Sequence, residues 1–152
     1  MAGRSLWGTT PRQSIAALCT ARGTTEVIED CVALLAGKDT DPALVRALAG
    51  PQAARFLDAP ADQRYWLRVW GARGLLWALS EPGAPPADEH RAAAAIVGAL
   101  GDEHWRVREM AAKVAARYRI DDAQPAVVAL LDDKIPRVRA VAARTLRLLS
   151  SG

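Results

Sequence analysis

Apolar residues recur every three to four positions along most of the chain, which is the spacing of helices that bury one face. Groups of Gly, Pro, Asp and Thr interrupt the pattern, and these residue types commonly begin or end helices. No run alternates apolar and polar residues between turn dipeptides, so no strand is predicted. The pattern predicts helices at about 11–22, 24–37, 40–50, 51–57, 62–80, 87–100, 104–118, 122–131 and 135–150.

Particular residues set the predicted helix boundaries. Thr10 is the expected N-cap of the first helix, with Pro11 at its first position and Gly23 just beyond its end. Asp62 is expected to cap the long fifth helix. Residues 81–86 read Glu-Pro-Gly-Ala-Pro-Pro, which cannot be helical, so they are predicted to form a loop. The other connections are short, and successive helices are therefore predicted to pack as antiparallel neighbours.

Two segments of the chain repeat each other at an offset of 31 residues. Residues 101–112 (GDEHWRVREMAA) align with residues 132–143 (DDKIPRVRAVAA). A third copy starts at Asp62, 40 residues before Asp102, and its nine extra residues fall in the Pro-rich segment 81–89. Such a recurring frame is typical of proteins built from stacked helix pairs. A weaker fourth copy is marked by Thr40, Val45 and Arg46.

The repeated frame resembles the HEAT repeat in its bacterial HEAT-like form, which also occurs in phycobilin lyases. That pattern has an Asp after the first helix and Val-Arg five and six residues later. It also has a Pro eight residues before the Asp, which Pro125 supplies once, before Asp133. The resemblance covers about residues 24–150 and implies an all-α, right-handed α-α superhelix. The predicted organisation is a flexible segment 1–10 and one domain 11–150, with a leading helix and units at about 24–49, 50–80, 87–118 and 121–150.

The resemblance also implies a structural ladder of Asp and Arg side chains between successive units. Such a partly buried ion pair specifies register more than it adds stability. These residues are therefore expected to support the fold, and no catalytic role is assigned to them. The ladder residues implied are Asp62, Arg68, Asp102, Arg108, Asp133 and Arg139.

A second stripe of residues runs beside the apolar stripe of the long helix 62–80. At 100° per residue, the spacing i, i+4, i+7 and i+11 places three tryptophans and an arginine on one flank. The same frame positions in later units are mostly basic. Because second helices line the concave surface of such solenoids, this flank is predicted to bind a partner. The candidates are Trp66, Trp70, Arg73, Trp77, Arg106, Met110, Lys113, Arg117, Arg137 and Arg144.

An alternative interpretation of the same flank is purely structural. The tryptophans would then fill space beside Gly71 and Gly74 against a neighbouring second helix. The arginines and the lysine would be solvated, with their aliphatic stems packed along the surface. The sequence does not decide between binding and packing.

A protein is the expected partner, because Trp and Arg are enriched at interface hot spots. Nucleic acid is the alternative partner, since bases stack on Trp while Arg and Lys hold phosphates. The net charge of +3 and pI near 9.2 are too mild to favour it by themselves. Bacterial alkylpurine DNA glycosylases also resemble this repeat, but their catalytic aspartate has no match here.

No catalytic constellation is recognised, so the chain is expected to be a non-enzymatic scaffold without a cofactor or a metal. Two Asp-Glu-His triplets, 88–90 and 102–104, reverse the His-Glu order of the iron ligands in deoxyhypusine hydroxylase, a HEAT-repeat enzyme. They also occupy different places in the repeat frame. Acidic residues in the first turn of a helix complement its dipole, and this is the expected role of both triplets.

The remaining features concern location and the chain's first residues. Cys19 and Cys31 lie among apolar neighbours, so buried free thiols are predicted. No signal-peptide core and no apolar run of membrane-spanning length occurs, so a cytoplasmic protein without a membrane segment is expected. The excess of Arg over Lys, with abundant Ala, Leu and Gly, is typical of a GC-rich genome. Trp7 and the weak early units suggest a specialised cap or a docking surface.

Overall fold

The computed structural model describes residues 10–38, 41–82 and 84–151, and every regular element within them is helical. The all-α prediction is therefore confirmed. Except for Thr10, the predicted flexible segment 1–10, with Trp7, lies outside the described residues, as does Thr40 of the weakest repeat copy. The α-helices are α1 (Pro11–Arg22), α2 (Thr24–Leu35), α3 (Pro42–Ala49), α4 (Ala53–Leu57), α5 (Tyr65–Ala78), α6 (Pro86–Ala99), α7 (Trp105–Arg117), α8 (Gln124–Ala129) and α9 (Pro136–Ser150). Short 3₁₀ turns lie at Gly50–Gln52, Ala61–Gln63, Asp121–Ala123 and Leu130–Asp132.

The first helix boundary forms as predicted, whereas the predicted cap of α5 was wrong. The Thr10 hydroxyl accepts a hydrogen bond from the Gln13 backbone N–H at 3.1 Å, and the Gln13 side chain accepts from the Thr10 N–H at 2.8 Å. This reciprocal pair is a capping box. Asp62 instead lies exposed in the 3₁₀ turn Ala61–Gln63, and α5 begins three residues later without a side-chain cap. The carbonyl oxygens of Pro60 and Ala61 accept the backbone N–H groups of Gln63 and Arg64, so backbone hydrogen bonds stand before α5 where a carboxylate cap was expected.

The second helices of the last three units stack in order, with α5 against α7 and α7 against α9. The first helices α6 and α8 pack on α7 and α9 respectively. Val107, Ala111 and Ala112 of α7 are fully buried, as are Val138 and Ala142 of α9. The small alanines let the helices approach closely while the valines fill the layer between them.

The N-terminal half packs differently from the predicted units 24–49 and 50–80. The main partner of α5 is α2, not its chain neighbour α4, and α2 also packs against α6. A Cβ on Gly71 would lie 2.7 Å from the Leu35 backbone nitrogen, and one on Gly74 would lie 2.6 Å from the Cys31 Sγ. The space beside these glycines is therefore filled by α2 and not by the tryptophans. Thus α2 serves as the first helix of the α5 unit, although α3 and α4 separate the two in sequence.

Both cysteines are free and buried, as predicted. Burial raises the pKa of the Cys31 thiol strongly, and it raises the pKa of the Cys19 thiol as well. These thiols therefore act as small core side chains between α1, α2 and α5. None of the described helices is both long and apolar enough to cross a bilayer.

Candidate partner-binding surface

Two bidentate ion pairs join successive units. Arg68 donates from Nε and Nη2 to the two carboxylate oxygens of Asp102 at 2.8 and 3.1 Å. Arg108 donates in the same way to Asp133, at the same two distances. Both pairs are largely buried, and a planar guanidinium facing a carboxylate is a strongly directional arrangement. The repeated Asp and Arg of the sequence are therefore in contact across two unit boundaries.

Each ladder aspartate also organises the turn that precedes its own second helix. Asp102 Oδ1 accepts the backbone N–H of His104 at 2.8 Å, and Asp133 Oδ1 accepts that of Ile135 at 2.9 Å. Burial alone would raise the pKa of Asp133, but the hydrogen bonds from Arg108 and Ile135 outweigh it and the pKa is lowered. The hydrogen bond to Asp102 raises the pKa of Arg68. One carboxylate therefore fixes both a turn and the contact between units.

The two outer members of the implied ladder have no such pair. Asp62 is exposed, and no arginine pairs with it in the part of the chain that the structure describes. Arg139 donates from Nη1 to the carbonyl oxygens of Asp133 at 2.7 Å and Lys134 at 3.3 Å, both in its own unit. Among the described residues, the ladder thus consists of two closed rungs and Arg139, whose hydrogen bonds go to its own turn.

A row of alternating cationic and aromatic side chains crosses the flank of α5, α7 and α9. The Cζ atom of Arg106 lies 4.9 Å from the ring centroid of Trp66 and 4.5 Å from that of Trp105. Arg137 from the next unit lies 5.4 Å from the same Trp105 ring. These distances are within the range of cation–π attraction. We call these four residues the flank row, and they include three of the predicted candidates.

A buried carboxylate completes the far end of the flank row. Glu109 is 9% exposed and accepts hydrogen bonds from Arg137 Nε at 3.0 Å and Nη2 at 3.4 Å. The Lys113 ammonium lies 3.9 Å from the same carboxylate. Arg137 is therefore held by Glu109 and by a tryptophan face, although its side chain is 63% exposed. An exposed cation in a fixed position is a ready contact for an anionic group.

The remaining tryptophans form a second cluster that is partly covered by α4. Phe56 lies 5.5 Å from the Trp70 ring in an edge-on arrangement and 6.0 Å from the Trp66 ring. Arg73 lies over Trp70 at 5.2 Å and Trp77 at 5.8 Å. Phe56 of α4 therefore packs against part of the stripe from within the chain, which differs from the predicted packing beside Gly71 and Gly74 against a neighbouring second helix. The buried indole N–H of Trp70 has no acceptor among the described residues.

The other candidates are not gathered into the flank row. Met110 is partly buried against the core, and Arg117 stacks on Tyr118 at 5.4 Å. Arg144 is exposed on α9. The flank is thus basic along most of its length, and the buried carboxylate of Glu109 lies beside Arg137 and Lys113.

Several contact residues were missed from the sequence. Tyr65 stacks on His104 with ring centroids 3.5 Å apart, and His104 Nδ1 accepts the backbone N–H of Arg106 at 3.2 Å. Tyr65 and Trp105 occupy the same frame position, the first residue of their second helices. The aromatic residue at this repeated position could have been found from the sequence. Phe56 and Glu109 could not, because they have no counterparts in the repeated pattern. Trp105, at this overlooked aromatic position, takes part in two of the three cation–π contacts of the flank row.

Three residues of the two Asp-Glu-His triplets form hydrogen bonds within the fold. Asp102 and His104 serve the turn before α7, and the buried Asp88 carboxylate accepts the Thr25 hydroxyl at 2.6 Å. His90 lies elsewhere, in an open cleft of about 530 Å³ that Tyr118 also lines. Within the described residues, no three His, Cys, Asp or Glu side chains are grouped to hold a metal ion.

Comparison with known proteins identifies one related family. A family model described as HEAT repeats matches residues 61–147, more than half of the chain. The matched segment contains α5 to α8 and most of α9, with both ladder pairs and the whole flank row. No curated protein and no solved structure matches the chain.

Proposed function

Since the chain belongs to the HEAT-repeat family, we propose that it is a non-enzymatic scaffold that binds a protein on the flank row. HEAT repeats generally mediate protein–protein interaction, which gives the coarse function. The observation that carries the choice of surface is the position of Arg137, which is exposed yet held by Glu109 and Trp105. Trp and Arg are the residue types that contribute most to binding at protein interfaces.

The fixed geometry of the flank row supports binding on energetic grounds. Ordering a long side chain at an interface costs about 0.5–1.5 kcal/mol. Arg106 lies between two indole rings and Arg137 is tied to a buried carboxylate, so much of this cost is met when the protein folds. Arg137 binds Glu109 through Nε and Nη2. Within the described residues its Nη1 hydrogens make no hydrogen bond, so they can bind water or the partner protein.

The charge of the flank indicates an acidic segment of the partner protein. Arg73, Arg106, Lys113 and Arg137 lie along it, and Glu109 is the carboxylate that two of them share. Complementary charge raises the association rate and disfavours partners of the same sign. An acidic surface or peptide would therefore be recruited in preference to a basic one.

The cation–π contacts also favour protein over nucleic acid. Single strands bind such surfaces by stacking bases on open aromatic faces. Here Arg106 lies over both Trp66 and Trp105, and Arg137 lies over Trp105 as well. A stacked base would have to displace these guanidinium groups.

The test compares partner retention by three immobilised forms of the full chain incubated with lysate of its source organism. We expect a protein bound by the wild type to be lost with Arg137→Gln and kept with Arg91→Gln. Arg91 is a matched control, because it also forms one ion pair, with Glu29, but lies on the first helix α6. Binding that does not distinguish the two variants would refute the flank as the site. Salt-dependent binding to a labelled oligonucleotide, lost with Arg137→Gln, would establish the nucleic-acid alternative instead.

A further inference from the structure

His104 connects α5 to α7 at the point where the flank row begins. Its ring stacks on Tyr65, which is the first residue of α5. Its Nδ1 accepts the backbone N–H of Arg106, and its own backbone N–H donates to Asp102 in the turn before α7. One imidazole therefore ties the start of α5 to the first turn of α7.

The two stacked rings are the chain neighbours of the two indoles that hold Arg106. Trp66 follows Tyr65 in α5, and their ring centroids are 5.3 Å apart. Trp105 follows His104 at the start of α7, and these centroids are 6.2 Å apart. The stacked pair therefore sets the separation of the two indoles between which the Arg106 guanidinium lies.

The charges near the His104 ring disfavour its protonation. They come from α5, from the turn before α7 and from α7 itself: Arg68, Asp102, Glu103, Arg106 and Arg108. Burial lowers the pKa of His104, and the charge of Arg106 lowers it further. The Asp102 carboxylate acts in the other direction, but it already accepts two hydrogen bonds from Arg68. The side chain of Glu103 is almost fully exposed to solvent.

A proton on Nδ1 is incompatible with this arrangement. A neutral imidazole that accepts at Nδ1 carries its hydrogen on Nε2, so acid adds the new proton at Nδ1. Two N–H groups would then face each other across the 3.2 Å that separates His104 Nδ1 from the Arg106 nitrogen. The ring has to turn away from that N–H, and turning it ends the parallel stack on Tyr65. Trp105 then loses the contact that fixes its distance from Trp66.

We propose that His104 is a pH-sensitive switch of the flank row, whose protonation releases Arg106 from the space between Trp66 and Trp105. Once released, the guanidinium has to be ordered again at an interface, which costs free energy. Mild acid therefore weakens binding of an acidic segment, a consequence that rests on the proposed function above. The switch itself is a property of this chain, so it is tested without a partner and can fail independently of that function.

Nuclear magnetic resonance of the full chain between pH 7.5 and pH 5.0 tests the switch. Aromatic rings shift the resonances of groups stacked on them, so the side-chain protons of Arg106 should lie upfield at pH 7.5. We expect this upfield shift to be lost with the same midpoint at which the His104 ring titrates. The Arg106 signals are identified by their absence from the spectrum of Arg106→Gln. If they stay upfield while His104 titrates, the proposal is overturned.

The chain has two histidines, which provide a matched pair of variants. His104→Asn keeps a capping side chain that does not titrate, so the Arg106 signals should not move over this pH range. His90→Asn changes the exposed histidine on α6 and should leave the transition as in the wild type. Methyl signals of Ile15 and Val127, which are fully buried in α1 and α8, should stay constant. A transition that persists in His104→Asn, or that moves these methyl signals with it, would also overturn the proposal.

Discussion

The imidazole of His104 lies face to face with the ring of Tyr65, with centroids 3.5 Å apart and planes inclined by only 7°. The contact joins the start of α5 to the turn that precedes α7. His104 is also the N-cap of α7, because its Nδ1 accepts the Arg106 backbone N–H. Only an imidazole without a proton on Nδ1 can make that bond, so the neutral form is the one that suits the fold.

Acidification should therefore destabilise the protein as His104 becomes protonated. Burial, followed by the charge of Arg106, lowers the pKa of His104 below its usual 6.5. Below about pH 6.5 the unfolded state then binds more protons than the folded state. The free energy of unfolding therefore decreases as the pH is lowered from about 6.5 to the folded pKa of His104. Urea unfolding at pH 7.5, 6.5, 5.5 and 5.0 measures this. His104→Asn keeps a capping side chain without the titration, and its stability should be flatter over the same range. An equally steep decline in that variant would assign the effect to other groups.

The closed rungs of the ladder should contribute more stability than its exposed outer positions. Asp133→Ala leaves the guanidinium of Arg108 without its carboxylate and removes the cap on the Ile135 N–H. We expect a loss of about 3 kcal/mol, as for breaking a largely buried ion pair. Asp62→Ala is the matched control at the same frame position, and it should cost less than about 0.5 kcal/mol because Asp62 is exposed. Chemical denaturation of both variants gives the comparison, and equal losses would show that the rung adds nothing.

The same carboxylate should contribute to unfolding at low pH. Because its pKa is lowered in the folded protein, Asp133 contributes stability above the unfolded value of about 3.9, and this is lost as pH falls through the folded pKa. Asp133→Asn removes the titration, so the drop in the free energy of unfolding below about pH 4 should be smaller than in the wild type. Thermal unfolding between pH 5 and pH 2 would show it. A variant curve parallel to the wild type would mean that the ion pair does not drive acid unfolding.

The ladder could be predicted from the sequence because each unit meets the next in the same way. Arg68 and Arg108 face the same kind of turn, so selection for one contact leaves the same residues at a fixed spacing. The flank row was predicted only in part. Trp66, Arg106 and Arg137 could be found because they follow the helical stripe. Trp105 lies one residue before it, and Glu109 is unique to its unit.

The pairing of α2 with α5 could not be predicted, because it breaks the rule that neighbouring helices in the chain form a pair. In the sequence Gly71 and Gly74 indicate that some other element approaches α5 closely. They do not indicate which element, since a missing Cβ carries no information about its neighbour. Only the three-dimensional packing identifies Cys31 and Leu35 of α2 as the residues in that space.

That close approach leads to the prediction that glycine-to-alanine substitutions have opposite effects at two helical positions. At Gly71 the new Cβ would meet backbone atoms of α2, at 2.7 Å from the Leu35 nitrogen and 2.9 Å from the Cys31 oxygen. Backbone cannot move aside as a side-chain tip does, so Gly71→Ala should destabilise the protein by about 2–3 kcal/mol. Gly98 on α6 has nothing within 4 Å of a Cβ, so Gly98→Ala should stabilise it by about 0.5–1 kcal/mol through better helix propensity.

The thermal unfolding midpoints of the two variants should therefore move in opposite directions. Gly74→Ala offers an internal check, because its Cβ would meet the Cys31 Sγ, a single side-chain atom, at 2.6 Å. Adding Cys31→Ala removes that atom and should recover part of the loss at Gly74, but little of the loss at Gly71. If Gly71→Ala were neutral, α2 would not be packed against α5 as closely as described, and its assignment as the first helix of that unit would be wrong.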